Sequence, residues 1–241
     1  MMKKITIFLV ALSSLALTAG AQTKTVKKTA KPATKAAPKK MLPEQKDNFT
    51  VTITTDSGVI VVKLSDSTPL HRDNFVKLVK QGFYDSLLFH RVIPQFMIQG
   101  GDPTSKNAPA GNMLGNGGGD MTRIPAEFHP SLFHKKGALA AARDGNPEKA
   151  SSACQFYIVE GKTFTDAELD MMETRLGRKY TAEQRNIYKT IGGTPFLDNN
   201  YTVYGEVISG LDVIHKIVTA QRDASDRPLG DVKMKVEMVK P

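Results

Sequence analysis

The chain has no tryptophan and a single cysteine, Cys154, among its 241 residues. One thiol cannot form an internal disulfide, so the fold must be held by its apolar core. The glycine cluster Gly115–Asp120 is not followed by Gly-Lys-Ser/Thr, which excludes a phosphate-binding P-loop, and no Gly-x-Ser-x-Gly elbow of a hydrolase occurs. The five histidines, His71, His90, His129, His134 and His215, show no metal-ligand spacing, and no metal or cofactor is expected. An excess of one charge is also missing from most of the chain. The net charge is +9, but residues 1–47 hold ten lysines against Glu44 and Asp47, which leaves 23 basic and 22 acidic residues for the rest. A nearly neutral body speaks against nucleic acid as a partner.

The one long apolar run, Ile5 to Leu17, falls short of the roughly 20 residues a membrane span needs. With Lys3 and Lys4 before it and Ala19-Gly20-Ala21 after it, the run reads as a secretory signal cut before Gln22. Residues 1–21 are thus expected to direct export, to a periplasm or beyond, with no membrane span after cleavage. Residues 22–48 are mostly Lys, Ala, Thr and Pro, which cannot bury enough surface to order themselves, and read as a flexible tether. The tether's charge permits weak electrostatic contact with an anionic envelope.

Folded sequence begins at Phe49. Thr50 to Thr54 alternates with strand period, Asp56-Ser57-Gly58 supplies a turn, and Val59 to Leu64 returns. Thr68 and Pro69 open a helix as N-cap and first residue, and Gly82 closes it. Strand-like runs follow at Leu87–Gln99, Gly137–Ala142, Cys154–Glu160, Tyr201–Ile208 and Val232–Val239. Ser209 is expected to cap a second helix over Leu211–Val218. Cys154, inside an apolar run, reads as a small buried hydrophobe. Short strands with two flanking helices predict a mainly β protein, a closed antiparallel barrel. Residues 163–194 break this pattern. Capping boxes at Thr165/Glu168 and Thr181/Gln184, with Met171, Met172 and Leu176, then Ile187, Tyr188 and Ile191, predict a helical hairpin inserted in a loop.

The chemistry concentrates in Phe89-His90-Arg91-Val92-Ile93-Pro94-Gln95-Phe96-Met97-Ile98-Gln99-Gly100-Gly101-Asp102. On a regular strand Phe89 and Arg91 share a face and His90 turns away as a structural residue. His129 and His134 flank a loop and read as solvated or capping. A guanidinium among aromatic side chains needs acceptors, and Gln99 can supply one oxygen while other donors stay free. The residues alone leave two readings open: a functional cation, or a structural arginine satisfied by a carboxylate.

This run resembles the signature of the cyclophilin family, F-H-R-x-I-x-x-F-x-x-Q-G-G-D. Gly58-Val59-Ile60 with the Pro69–Lys80 helix, Gly137 to Ala142, Ser151 to Ile158, Phe196-Leu197-Asp198 and Tyr201 to Val207 resemble further blocks of that family in the same order. The resemblance implies a peptidyl-prolyl cis-trans isomerase on a closed barrel of about eight strands, a domain spanning 49–241. By it Arg91 matches the catalytic arginine and Gln99 the residue that orients it. Phe96, Met97, Tyr157, Leu197 and Tyr201 match the proline pocket, with Phe196 beside Leu197 where many members carry tryptophan. Ala142, Arg143 and Gln155 match the groove for the substrate backbone. The implied partners are proline-containing unfolded or flexible polypeptides, and the protein is expected to be a monomer. A non-catalytic module that binds proline peptides in the same groove is the alternative.

Overall fold

Alternation of apolar and polar residues builds the first hairpin. In the computed structural model, which describes residues 49–239, β1 (Thr50–Thr55) and β2 (Gly58–Leu64) pair antiparallel with Thr55 opposite Gly58. Val51, Ile53, Ile60 and Val62 are fully buried on one face. Gly58 sits at φ 135°, where a side chain is strained, and a Cβ there would lie 2.8 Å from the Val213 side chain. The segments read as signal (1–21) and tether (22–48) lie outside the described residues.

The remaining elements are α1 (Pro69–Lys80), β3 (Phe89–Ile93), β4 (Met97–Gly100), β5 (Ala138–Ala141), β6 (Phe156–Val159), α2 (Asp166–Leu176), α3 (Ala182–Thr190), β7 (Val203–Ser209), α4 (Leu211–Val218) and β8 (Lys235–Met238). The strands form one antiparallel sheet in the order β3-β4-β6-β5-β7-β2-β1-β8, curled into a half-barrel. The expected closure is not in that order, because β3 and β8 are its two ends. Between them lies an isolated bridge, Leu88 to Lys233, with backbone bonds Ser86 N to Met234 O, Met234 N to Leu87 O and Phe89 N to Val232 O at 2.9 Å each.

Strand alternation sorts side chains into two apolar layers. Ile98, Leu139, Ala141, Phe156 and Ile158 point to the core, where they meet Phe75, Val76, Leu78 and Val79 of α1 and Val213, Ile214, Ile217 and Val218 of α4. Met97, Ala138, Ala140, Tyr157, Val159 and Val203 point the other way and build the layer beneath the site.

Two helix starts differ from expectation. Thr68 stands at the N-cap of α1, but its side chain makes no capping bond and its buried hydroxyl has no partner among the described residues. Glu127 does that work from a distant loop, accepting from Leu70 N at 3.1 Å, His71 N at 2.9 Å and His71 Nδ1 at 2.7 Å. A carboxylate carries more charge to the positive helix end than a hydroxyl. Ser209 ends β7 rather than capping α4, whose N-cap is Gly210 at φ 93°. Both capping boxes of α2 and α3 are present, and Gly177 in the left-handed region stops α2. Leu169, Met172 and Tyr188 face the hairpin's own core, whereas Met171 and Ile191 are exposed, because 171 falls off the stripe that 169 and 172 define.

Replacing Glu127 with Ala therefore costs about 1–3 kcal/mol of stability in urea unfolding, while Thr68→Val stays within about 0.5 kcal/mol. The opposite ranking contradicts this assignment of the cap.

Candidate active site

One line of residues crosses the sheet at a common height. Arg91 on β3 faces Gln99 on β4, Gln99 faces Tyr157 on β6, Tyr157 faces Ala140 on β5, and Ala140 faces Val203 on β7. Regular alternation does not deliver Arg91 to this face. Phe89 is fully buried in the core, and the β3–β4 register shifts between Phe89 and Arg91, so the two do not share a face as expected. A bulge inserts one residue and re-aims the side chain after it. That residue is His90. It is 3% exposed and, with Arg91, borders a small cavity of about 210 Å³, so it does not turn away from Arg91 either.

Arg91 Nη1 donates to Gln99 Oε1 at 3.3 Å, and among the described residues this is its one side-chain hydrogen bond. No carboxylate of the described residues pairs with it, which removes the reading of a structural arginine satisfied by an acid. Gln99 is oriented in turn, since its Nε2 donates to Gln155 Oε1 at 3.1 Å. Gln155 Nε2 then donates to the carbonyls of Gly115 and Gly117, both at 2.9 Å. The chain of amides ends on a loop held from below by Asp102, which accepts from Thr104 N at 2.8 Å, Thr104 Oγ1 at 2.7 Å and Gly115 N. Burial alone raises the Asp102 carboxyl, but these bonds outweigh it and hold the group below the ordinary range.

Beside Arg91 opens a cavity of about 190 Å³ lined by Arg91, Phe96, Met97, Gln99, Ala142, Arg143, Tyr157, Leu197 and Tyr201. Nine of the eleven expected site residues thus meet in one place. Gln155 lines the adjoining cavity of about 360 Å³, which shares Gln99, Ala142 and Arg143 with the first and is walled by Gly115 to Gly119. Phe196 lines neither. It packs with Phe133, Phe164 and Tyr188 in the hairpin's cluster and stacks on Phe96 with ring centres 5.9 Å apart, so it supports the pocket from behind.

Local structure explains each wall. Phe96 follows Gln95 at φ 60°, and this strained turn is anchored by buried Glu160, which accepts from Gln95 N at 2.7 Å. The backbone N–H groups of Glu160 and Gly161 donate to Phe96 O at 3.0 and 3.1 Å. Leu197 ends a 3-10 turn, Pro195–Leu197. Arg143 closes the rim: its Nε donates to Asn200 O at 2.7 Å and its guanidinium lies 4.7 Å from the centre of the Tyr201 ring. Glu160 and Glu127 were missed in the sequence because each acts on residues far away in the chain.

A Ser151–His71–Glu127 array has the connectivity of a hydrolytic triad, with His71 Nε2 2.9 Å from Ser151 Oγ and His71 Nδ1 2.7 Å from Glu127 Oε2. Ser151 is fully buried, lines neither cavity, and Glu127 is occupied in capping α1. This array is a structural brace.

Residues 50–238 match the model of the "cyclophilin type peptidyl-prolyl cis-trans isomerase" family. The chain belongs to that family. It is 33% identical over 189 residues to a protein of Staphylococcus haemolyticus named as a peptidyl-prolyl cis-trans isomerase, covering 78% of this chain and 89% of that one. It is 34% identical over 185 residues to a Streptococcus pyogenes protein named as a bifunctional phosphatase/peptidyl-prolyl cis-trans isomerase; the match covers 76% of this chain but 37% of that longer protein. A cyclophilin-type isomerase from Cryptosporidium parvum shares the fold with TM-score 0.58 at 22% identity, covering 80% of this chain and 98% of that one. This cyclophilin is thus a prolyl isomerase by family.

The buried His90 sets an acid limit on stability. Among the described residues neither ring nitrogen finds a well-formed partner, and burial lowers the imidazole to about 4 against the pull of Asp102. The unfolded chain takes up this proton near pH 6.5 while the folded one does not until about 4, so stability falls as pH drops through that window. His71, also lowered by burial, acts in the same direction. Urea unfolding should show wild type losing roughly 2–3 kcal/mol between pH 7.5 and 4.5, and His90→Phe losing clearly less. Equal losses contradict the assignment.

Proposed function

We propose that the 190 Å³ cavity holds the proline ring of an X-Pro bond and that Arg91 is the residue that speeds its rotation. The observation that carries this reading is a guanidinium beside the apolar wall of Phe96, Met97 and Leu197 with Gln99 as its one side-chain acceptor among the described residues. Rotation about a peptide bond faces a barrier of about 18–20 kcal/mol from amide resonance. In the twisted state the imide nitrogen regains its lone pair and the amide loses resonance. A donor fixed at that place binds the twisted amide better than the planar one, which lowers the barrier. Phe96, Met97, Tyr157, Leu197 and Tyr201 would hold the ring and exclude water. Gln99 would keep the guanidinium aimed, and Ala142, Arg143 and Gln155 would receive the client backbone. No group has to change protonation. Arginine stays charged, and burial holds the Tyr157 phenol well above its usual range.

Residues 1–21 serve export in this reading, 22–48 tether the catalytic domain of 49–241, and the clients are exported polypeptides met in the periplasm. Among the described residues no helix is long and apolar enough to cross a membrane. The composition of the tether supports weak attachment to an anionic envelope. We further propose a monomer, in which the bonds around Leu88 and Lys233 seal the sheet into a barrel and the α2–α3 hairpin is an insertion into the family's plan.

Arg91→Ala should lower kcat/KM for a short X-Pro peptide by about 100-fold in a cis-to-trans exchange assay. Equal exchange by wild type and variant removes Arg91 from the mechanism.

A further inference from the structure

Tyr157 forms the floor of the cavity, and its hydroxyl leads away from it into buried polar groups. The hydroxyl lies 2.9 Å from His134 Nε2, and His134 Nδ1 lies 2.8 Å from Asp198 Oδ1. Asp198 Oδ1 also accepts from His134 N at 2.8 Å, and Tyr188 donates its hydroxyl to Asp198 Oδ2 at 2.6 Å. All four side chains are at least nine-tenths buried. His134, expected to be solvated or capping, is instead the buried central link. Burial keeps the phenols of Tyr157 and Tyr188 protonated, so both donate. With Tyr157 donating, Nε2 accepts and Nδ1–H serves the carboxylate, and every proton in the array has one consistent place.

The far end of this array belongs to the α2–α3 hairpin. Tyr188 lies on α3. Arg178, in the connection between the two helices, donates to the carbonyls of Pro195 and Asp198, and Tyr180 donates its hydroxyl to Pro195 O at 3.0 Å. The hairpin therefore grips both ends of the 195–198 turn, which sets Leu197 in the cavity wall, and packs Phe196 from behind. No residue of 163–194 lines the cavity itself. The hairpin does not overhang the site. It stands behind it.

We propose that the α2–α3 hairpin is a positioning element for the proline pocket, acting through Asp198 on the Tyr157 floor and the Leu197 wall. This rests on the reading that the cavity holds proline. Tyr188, His134 and Asp198 are then positioning residues whose effect reaches substrate only through Tyr157 and Leu197.

The test is a double-mutant cycle on the full chain with Tyr188→Phe, Tyr157→Phe and the pair, measuring KM and kcat on an X-Pro tetrapeptide. Each single change removes one hydroxyl, keeps the ring, and should raise KM about fivefold. The pair should resemble either single, because both cut the same relay. A purely structural hairpin gives a lower melting temperature with KM unchanged, or effects on KM that multiply; either result overturns the proposal. If Tyr188→Phe does not fold, Tyr157→Phe decides from the other end, and an unchanged KM overturns it. Wild type without turnover would instead remove the pocket reading and the proposal with it.

Discussion

A guanidinium set against an apolar wall has five N–H donors and a charge that a low-dielectric surface disfavours. Burying an unpaired charge is costly, and most buried arginines find a carboxylate. Arg91 has none among the described residues and rests on the neutral oxygen of Gln99. That choice leaves the charge uncompensated and the remaining donors available to whatever enters the cavity. Much of the surrounding structure serves to keep Arg91 in this unsatisfied state. The β3 bulge aims it outward, the Gln99–Gln155 amides hold the acceptor still, and the Asp102 carboxylate is placed beneath the glycine loop rather than on the guanidinium.

The sheet makes this possible by separating two apolar populations. Alternate residues of β4, β5 and β6 feed the core and the site layer independently, so the site layer can hold Met97, Ala140 and Tyr157 on one face without thinning the core on the other. The floor and walls are then fixed by polar groups buried out of reach of the ligand. Glu160 secures the Phe96 turn and Asp198 secures the Leu197 turn. A rigid pocket suits a reaction with no bond to break, because the catalytic gain comes from holding one geometry better than another.

Much of this was legible in the sequence, for local reasons. The first hairpin, both capping boxes and the extent of α4 follow from periods and caps written within a few residues. Strand pairing in register lines up Arg91, Gln99 and Tyr157, while five of the nine cavity residues lie outside the run around Arg91 and were placed by the family resemblance. What stayed hidden was long-range. The cap of α1 lies at Glu127, 57 residues beyond Leu70. A bulge leaves no mark in a period-two pattern, so Phe89 and His90 were set on the wrong faces. Phe196 was expected at the pocket from the resemblance to a block that carries tryptophan there, yet the hairpin cluster claims it. His134 carried no local signal of burial, and only the fold brings it between Tyr157 and Asp198.

The central claim is that the forked geometry of the guanidinium, and not positive charge alone, favours the twisted amide. Exchange NMR on an X-Pro peptide with wild type and Arg91→Lys tests it most directly, since lysine keeps the charge but presents a compact ammonium in place of the planar fork. The account predicts that peptide binding is kept within a few-fold while catalysed exchange falls by at least tenfold. Exchange by Arg91→Lys at the wild-type rate would contradict it.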